Sequence, residues 1–389
     1  SALCPQWPYC RKRCSYCNFN KYVVPAVDEV AMGACLGGTG PFDSHLQLRH
    51  ALPYSITSVF FGGGTPSLAS PRTIAKVLEA VAGAAHLPAG AEVTLEANPS
   101  SASPSRLAGF RAAGVNRLSI GIQLQLLGRE HTAAEAWGAV EVARGLFPGR
   151  TSLDLIFGLP GQSLGTWARG LEVVLELCDD HISLYQLTLE RGTALAAQVS
   201  RGTQPVPPQD LLADMCQTAR AMLVAAGFRH YEISNFAKKG ALSTHNLSYW
   251  RAEEYIGVGP GAHGRFVPRG EGGRSREARV QTLEPDAWMR EVQTQGHGTR
   301  RRVELSPLEH MDLLLTTVAN NPLSILGTQR WGHFSPHLSL ESVFGVPGEA
   351  RALQQQGWLL LDSSGLRCTW EGLAVLDSLL PDLLCQMQR

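Results

Sequence analysis

Three of the chain's nine cysteines lie close together, at Cys10, Cys14 and Cys17, with the spacing C-x3-C-x2-C. One regular helix or strand cannot point three side chains at this spacing toward one ligand, so the thiols require a loop that wraps something. Iron–sulfur clusters are usually held by four cysteine thiolates. Three ligands therefore leave one iron open to a small chelating molecule. The basic residues between Cys10 and Cys14 favour the thiolate form.

A zinc knuckle and a redox-active pair are the alternatives for this cysteine loop. Zinc sites usually show a second C-x2-C pair or histidines at a matching spacing downstream. The other cysteines form no second pair. The spacing favours the iron–sulfur cluster, with zinc and redox chemistry as the alternatives.

A run of three glycines follows a short apolar segment and ends in Thr65 and Pro66. Glycines let a ligand approach the backbone closely and leave amide groups free to bind it. The run lacks the Lys-Ser/Thr ending of a phosphate-binding P-loop. It therefore predicts that Gly63, Gly64 and Thr65 contact a small ligand, and the alternative is a tight turn.

Polar side chains lie in or at the end of three successive apolar segments, at Glu96, Gln123 and Asp154. A polar group inside an apolar strand is costly unless it has a partner. One such residue is often a satisfied core group, but three facing one opening are typical of ligand contacts. Glu96 suits the hydroxyl groups of a ribose, and Arg129 suits a carboxylate.

Apolar runs and segments with helical periodicity alternate between residues 58 and 190. The predicted strands are 58–62, 92–97, 117–123, 152–157 and 181–187, and the predicted helices are 71–85, 103–113, 133–147 and 164–177. This alternation is typical of parallel strands covered by helices. In such barrels the chemistry lies at the carboxyl ends of the strands, where the glycine run and the polar residues fall.

The pattern changes after this alternating region. A helix at 210–226 and a strand at 231–234 are followed by a predicted loop at 265–285, and residues 355–369 resemble the hairpin of a winged helix. The predicted domains are a core barrel (1–240), a connecting segment (241–300) and a small, mostly helical C-terminal domain (301–389).

The composition is that of a globular protein, with 389 residues, 44% hydrophobic and 17% charged, and a net charge of zero. This balance does not predict a nucleic-acid partner, and the basic run 300–302 is interpreted as a solvated turn. No run of about 18 apolar residues predicts a membrane span. The odd number of cysteines argues against a disulfide framework.

The cysteine loop, the glycine run and the polar strand ends together resemble the radical S-adenosylmethionine (SAM) superfamily. The resemblance implies an incomplete (β/α)6 barrel with a [4Fe-4S] cluster on the three cysteines and SAM on the open iron. It also implies a SAM site at Tyr16, Gly63, Gly64, Thr65, Glu96, Gln123, Arg129 and Asp154.

Residues 244–250 contain the pattern H-N-x-x-Y-W, which is similar to the signature of the HemW-type haem chaperones in the HemN-like branch. Phe19 stands where the oxygen-independent coproporphyrinogen oxidases of this branch carry a further cysteine. The resemblance implies that haem is bound and passed to an unidentified recipient protein. His245 suits an axial haem ligand, and Tyr249 and Trp250 suit stacking on a macrocycle. The alternative for His245 is a structural cap.

Two other functions stay open at this point. One is a coproporphyrinogen-III oxidase, in which cleavage of SAM yields a radical that abstracts hydrogen from a propionate side chain. The other is a non-catalytic binding module that keeps the cluster for structure. Resemblance to the animal members predicts a mitochondrial location, with the cytoplasm as the alternative, and no targeting segment is expected in this chain.

The chain also departs from the family pattern at its beginning and in the segment 123–129, which is shorter than usual. Residues 1–8 replace the apolar strand that normally precedes the first cysteine. We therefore expect the first barrel strand to be largely missing.

Overall fold

The computed structural model describes residues 1–37, 55–122, 133–268, 275–306, 339–363 and 365–387. Its centre is a run of six parallel strands, each paired with the next along the chain. They are β1 (Ala2–Trp7), β2 (Ser58–Gly63), β3 (Glu92–Ala97), β4 (Arg117–Gly121), β5 (Thr151–Phe157) and β6 (His181–Gln186).

Helices connect these strands, because parallel neighbours need a crossover. They are α1 (Glu29–Gly37), α2 (Pro71–Ala84), α3 (Pro104–Ala112), α4 (Ala133–Leu146) and α5 (Leu164–Leu177). Alternate strand residues such as Val59 and Leu95 join the apolar faces of these helices in one core. The bounds of the predicted strands and helices between residues 58 and 190 are confirmed to within two residues. The predicted (β/α)6 fold class is confirmed as well.

Local sequence signals set the helix boundaries. Ser70 caps α2 by accepting a hydrogen bond from the amide of Thr73, and a proline follows it at the first helical position. Ser163 and Thr166 form a reciprocal capping box at the start of α5. These caps orient both helices over the sheet.

The sheet extends beyond both edges of the parallel run. After α6 (Ala194–Ser200) and α7 (Gln209–Ala225), the hairpin β7 (Arg229–Glu232) and β8 (Asn235–Ala237) pairs with β6. On the other side β1 pairs with β9 (Tyr255–Val258), followed by β10 (His263–Phe266), β11 (Glu277–Gln281) and β12 (Thr299–Glu304). The helices α8 (Thr244–Trp250) and α9 (Pro285–Gln295) complete this part.

Two predictions in this outer part of the sheet were wrong. Residues 265–285 were predicted as a loop but contain β11 and the end of β10, and the basic run 300–302 lies in β12 instead of a turn. Both strands are rich in charge: β12 is an edge strand with exposed side chains, and the charged Glu277 and Arg279 of the neighbouring β11 pair with each other. Their polar sequence therefore does not have the apolar periodicity by which strands are recognised.

The prediction that the first barrel strand is largely missing was also wrong. β1 is a six-residue strand in the middle of the sheet, hydrogen-bonded between β2 and β9. Pro5 makes this segment a poor strand by sequence, because proline has no N–H to donate. β1 pairs with β2 up to Leu3 and again from Gln6, in the same register, and pairing with β2 is interrupted at Cys4 and Pro5. The strand therefore accommodates the proline.

The C-terminal part has its own apolar core, which includes Phe344, Leu359 and Leu383. It consists of α10 (Leu340–Phe344), α11 (Glu349–Gln355), the antiparallel hairpin β13 (Leu359–Asp362) and β14 (Gly365–Cys368), α12 (Trp370–Ala374) and α13 (Leu376–Met387). The predicted winged-helix-like hairpin is confirmed. In the described ranges, no helix combines the length and apolarity needed to cross a bilayer.

A buried ion pair lies inside the barrel at the amino ends of the strands. Glu92 and Arg117 are each only 1% exposed, and their charged atoms are 3.5 Å apart. Arg117 also donates to the carbonyl of Ala241 at 3.0 Å. Glu92 accepts hydrogen bonds from the Ser243 hydroxyl at 3.2 Å and the His245 amide at 3.0 Å. Charge and hydrogen bonds together offset the cost of burial.

Replacing this carboxylate by a neutral amide should strongly destabilise the barrel. In Glu92→Gln the buried guanidinium of Arg117 loses its counter-charge, which should lower the free energy of unfolding by about 3–5 kcal/mol. Urea unfolding of the purified protein measures this loss. Glu96→Gln, the same change further along the same strand but beside solvent, is the matched control. Equal losses in the two variants would contradict a role for the buried pair.

Candidate functional site

A cavity of about 440 Å³ lies at the carboxyl ends of the parallel strands. The residues of the predicted cofactor site that the structure describes all border it: Cys10, Cys14, Tyr16, Cys17, Gly63, Gly64, Thr65, Glu96 and Asp154. Gln123 and Arg129 lie outside the described residues. Strand ends of a parallel sheet converge on one edge, which is why residues far apart in sequence meet here.

The cysteine loop leaves the end of β1 and is closed by backbone hydrogen bonds. The amide of Cys10 donates to the carbonyl of Tyr22, and the amide of Cys17 donates to the carbonyl of Cys14. The buried ammonium of Lys21 donates to the carbonyl of Cys17. The three cysteines are each partly exposed toward the cavity.

The electrostatics of Cys10 suit a metal-bound thiolate better than a free one. Burial raises the pKa of its thiol, and the nearby Cys17 and Cys14 raise it further, while a hydrogen bond from Thr65 at 3.2 Å opposes both effects. A positive iron centre would offset the repulsion among three thiolates. The hydroxyl of Thr65 is already placed to stabilise the ligated sulfur.

The geometry also bears on the zinc alternative. Across the described part of the chain, no three His, Cys, Asp or Glu side chains converge as a single metal ion would require. Cluster ligands bind different iron atoms and therefore stand further apart than the ligands of one ion. The described cysteines thus do not form the compact ligand set of a single zinc ion, and the cluster stays a prediction.

The glycine run holds β2 against the cysteine loop. The φ angle of Gly63 is +109°, a region that favours glycine. A Cβ atom on Gly64 would lie 2.8 Å from backbone atoms of Pro8 and Tyr9, closer than side chains allow. The amide of Thr65 donates to the carbonyl of Tyr9 at 2.9 Å. Gly63 ends β2 and the chain bends at Gly64, so the glycine run lies against the cysteine loop and borders the cavity.

Two carboxylates, Glu96 on β3 and Asp154 on β5, are half-buried at the cavity. Ser119 on β4 donates a hydrogen bond of 2.7 Å to Oδ2 of Asp154. Tyr185 on β6 also borders the cavity, with 42% of its surface exposed. Sequence reasoning missed Ser119 and Tyr185, although Ser119 lies between two apolar residues of β4 and Tyr185 is near the end of the predicted strand.

The residues of the predicted haem surface lie elsewhere, on α8 near the amino ends of β2 and β3. His245 is 4% exposed, and its ring stacks on Phe60 with centroids 4.4 Å apart. Its Nδ1 is 3.4 Å from the hydroxyl of Ser58, and its Nε2 is 3.9 Å from the sulfur of Cys4. Burial lowers the pKa of this imidazole to about 3.

The two aromatic residues of the motif also contact protein groups. The hydroxyl of Tyr249 lies 3.1 Å from the sulfur of Cys4. Trp250 lies near the carboxyl group of Glu232, whose pKa burial raises to about 7. Neither His245 nor these two residues border the cavity. In this arrangement, ligation of a haem iron by His245 requires α8 to move away from β2.

Comparisons with known proteins show which family the chain belongs to. The model of the radical SAM superfamily matches residues 6–172, which include the cysteine loop and strands β2 to β5. The mitochondrial radical S-adenosyl methionine domain-containing protein 1 of Bos taurus is 59% identical over the whole chain, which covers 88% of that protein. The heme chaperone HemW of Escherichia coli is 38% identical over 67% of this chain and 68% of its own length.

The chain belongs to the HemW-type family of the radical SAM superfamily. Among solved structures, the coproporphyrinogen III oxidase HemN of Escherichia coli matches 98% of this chain and 89% of its own, with a TM-score of 0.79 and 20% identity. At that identity the likeness establishes the fold. For a radical SAM protein the cavity is in the expected place, at the carboxyl ends of the barrel strands.

Proposed function

We propose that this protein is a haem chaperone, which binds haem and passes it to a recipient protein and carries a SAM-ligated [4Fe-4S] cluster. The observation that carries the proposal is that the three cysteines, the glycine run and the two carboxylates border the same cavity. The name of the bacterial HemW relative supports the haem role. The names of the bovine, mouse and zebrafish relatives support a mitochondrial location.

Cys10, Cys14 and Cys17 would hold the cluster. When bound, the cluster would supply an open iron that the amino and carboxylate groups of SAM chelate, and an electron for SAM cleavage. The chain contributes the loop itself, the hydrogen bond from Thr65 to the Cys10 sulfur and the ammonium of Lys21 at the Cys17 carbonyl. These contacts orient the sulfurs and bring positive charge near an anionic cluster.

SAM would occupy the cavity beside this cluster. The Glu96 carboxylate is placed to accept hydrogen bonds from ribose hydroxyls, because it is half-buried and borders the cavity. Asp154 is a second acceptor, already oriented by Ser119. The contributions of Gln123 and Arg129 stay predictions.

Phe19 distinguishes the chaperone from the oxidase alternative. Its side chain is 66% exposed and borders the same cavity. In the oxidases of this branch a further cysteine is expected at this position, and phenylalanine cannot replace its thiol. The absence of that thiol at position 19 favours haem chaperoning over oxidase chemistry.

The cluster is tested by replacing one cysteine of the loop. Anaerobic reconstitution with iron and sulfide should give wild-type protein with one [4Fe-4S] cluster and broad visible absorption. Cys14→Ala should lose that absorption because two thiolates cannot hold the cluster stably. Cys385→Ala, which removes an exposed thiol on α13, is the control. Unchanged iron content in the Cys14 variant would contradict the assignment.

The SAM site is tested by truncating Glu96. Glu96→Ala should weaken SAM binding to the reconstituted protein by about 1–3 kcal/mol, the cost of losing a hydrogen bond to a charged group. Isothermal titration calorimetry measures the change. Glu172→Ala, on the exposed side of α5, should bind SAM as the wild type does. Equal affinity in the two variants would remove Glu96 from the site.

The chaperone function is tested by haem binding and transfer. The hypothesis for α8 is that His245 ligates or positions haem. The double variant His245→Ala/His263→Ala should then weaken haem binding or shift the Soret band while the cluster persists, and Cys10→Ala should do the reverse. The double variant is used because the exposed imidazole of His263 is a substitute ligand.

Three outcomes would revise these assignments. A wild-type haem spectrum and affinity in the double variant would make α8 purely structural. Failure of haem-loaded wild type to pass haem to an apo-haemoprotein would overturn the chaperone function. Conversion of coproporphyrinogen with release of 5′-deoxyadenosine would instead identify the oxidase.

A further inference from the structure

A chain of hydrogen bonds crosses the inside of the barrel and ends at the cavity. The hydroxyl of Tyr231 on β7 lies 2.8 Å from Nε2 of His181 on β6. The Nδ1 of His181 lies 2.7 Å from the hydroxyl of Ser152 on β5. That hydroxyl lies 3.3 Å from Oδ1 of Asp154. At the far end, the side-chain amide of Asn246 on α8 donates to the Tyr231 hydroxyl at 3.3 Å.

The donor and acceptor groups of these residues allow only one direction of donation along the chain of hydrogen bonds. An ionised carboxylate only accepts hydrogen bonds, so Ser152 donates to Asp154 and must accept from Nδ1–H of His181. Nε2 of the neutral imidazole then accepts from the Tyr231 hydroxyl. Burial and the nearby Arg117 hold the pKa of His181 well below its usual range, so the ring is neutral. Every link from Asn246 to Asp154 is satisfied in this order.

In the contacts described, the hydroxyl of Ser183 is the only alternative acceptor for the hydroxyl proton of Ser152. The Ser183 hydroxyl is 3.3 Å from that of Ser152 and donates to the Asn235 side chain at 2.6 Å. A charged acceptor forms the stronger hydrogen bond, so the proton of Ser152 goes to the carboxylate of Asp154. Ser119 holds the other oxygen, and the carboxylate is therefore fixed from two strands.

We propose that His181 is a positioning residue for SAM: through Ser152 it orients the Asp154 carboxylate, and through Tyr231 it links that carboxylate to Asn246 of the H-N-x-x-Y-W helix. This inference rests on the proposed function, in which Asp154 contacts SAM. It gives the buried imidazole and the asparagine of the motif a role that neither residue could have by direct contact, because neither borders the cavity.

Two amide substitutions of His181 separate positioning from general stability. The side-chain amide of asparagine replaces Nδ1 and can still donate to Ser152, whereas the longer glutamine amide replaces Nε2 and reaches Tyr231 instead. His181→Asn should retain SAM affinity within about threefold of wild type. His181→Gln and Ser152→Ala should each weaken it by about tenfold, the cost of a disturbed charged hydrogen bond. Both His181 variants should lose thermal stability to a similar degree.

SAM affinity is measured on the anaerobically reconstituted protein by calorimetry. Equal affinities for His181→Asn and His181→Gln would overturn the positioning role, because a merely structural histidine predicts no difference between them. If wild type itself binds no SAM, the proposed function fails, and a second readout still decides the hydrogen-bond chain.

That readout is a double-mutant cycle in urea unfolding, without SAM. Combined with Asp154→Asn, His181→Gln should shift the unfolding midpoint by less than the sum of the two single shifts, because both changes break the same chain. His181→Asn, which keeps the link to Ser152, should add to Asp154→Asn without such coupling. Additive shifts for both His181 variants would show that His181 and Asp154 are not connected.

Discussion

The buried carboxylate of Glu92 is the constraint on which the two ends of the barrel depend. A charge that is 1% exposed needs both a counter-charge and hydrogen bonds. Arg117 supplies the first, and the segment leading into α8 supplies the second through Ser243 and the amide of His245. Satisfying Glu92 therefore holds α8 in the amino-terminal opening, so this end is closed and the carboxyl end is left for the ligand cavity.

Glu92 and Glu96 are two glutamates on the same strand in different surroundings. They lie four residues apart on β3, and strand alternation puts both on its inward face. Glu92 is surrounded by partners from within the chain, whereas Glu96 is half-buried beside the cavity. The same residue type thus stabilises the fold at one end of the strand and borders the ligand cavity at the other.

The sequence predicts what depends on local pattern. Cysteine spacing, the glycine run and the polar residues in or at the ends of apolar strands identified eight residues that border the cavity, but missed Ser119 and Tyr185. Prediction from the sequence failed where the residues in contact are far apart along the chain. Cys4 and Pro5 make β1 difficult to predict as a strand, yet Cys4 is buried against Tyr249, 245 positions away. The burial of His245 could not be predicted either, since Phe60 and Ser58 meet it only in the folded barrel.

The H-N-x-x-Y-W helix, α8, has both a recognisable local pattern and contacts with residues that are distant in sequence. Its sequence suits haem, but its side chains contact protein groups: His245 packs on β2, Tyr249 contacts β1 and Trp250 lies near Glu232 of β7. Moving α8 would break these contacts together with the hydrogen bonds to Glu92. It would also remove Asn246 from the chain of hydrogen bonds that reaches Asp154. Any haem ligand that engages α8 would therefore act on the SAM cavity as well, because the two ends share one set of buried polar groups.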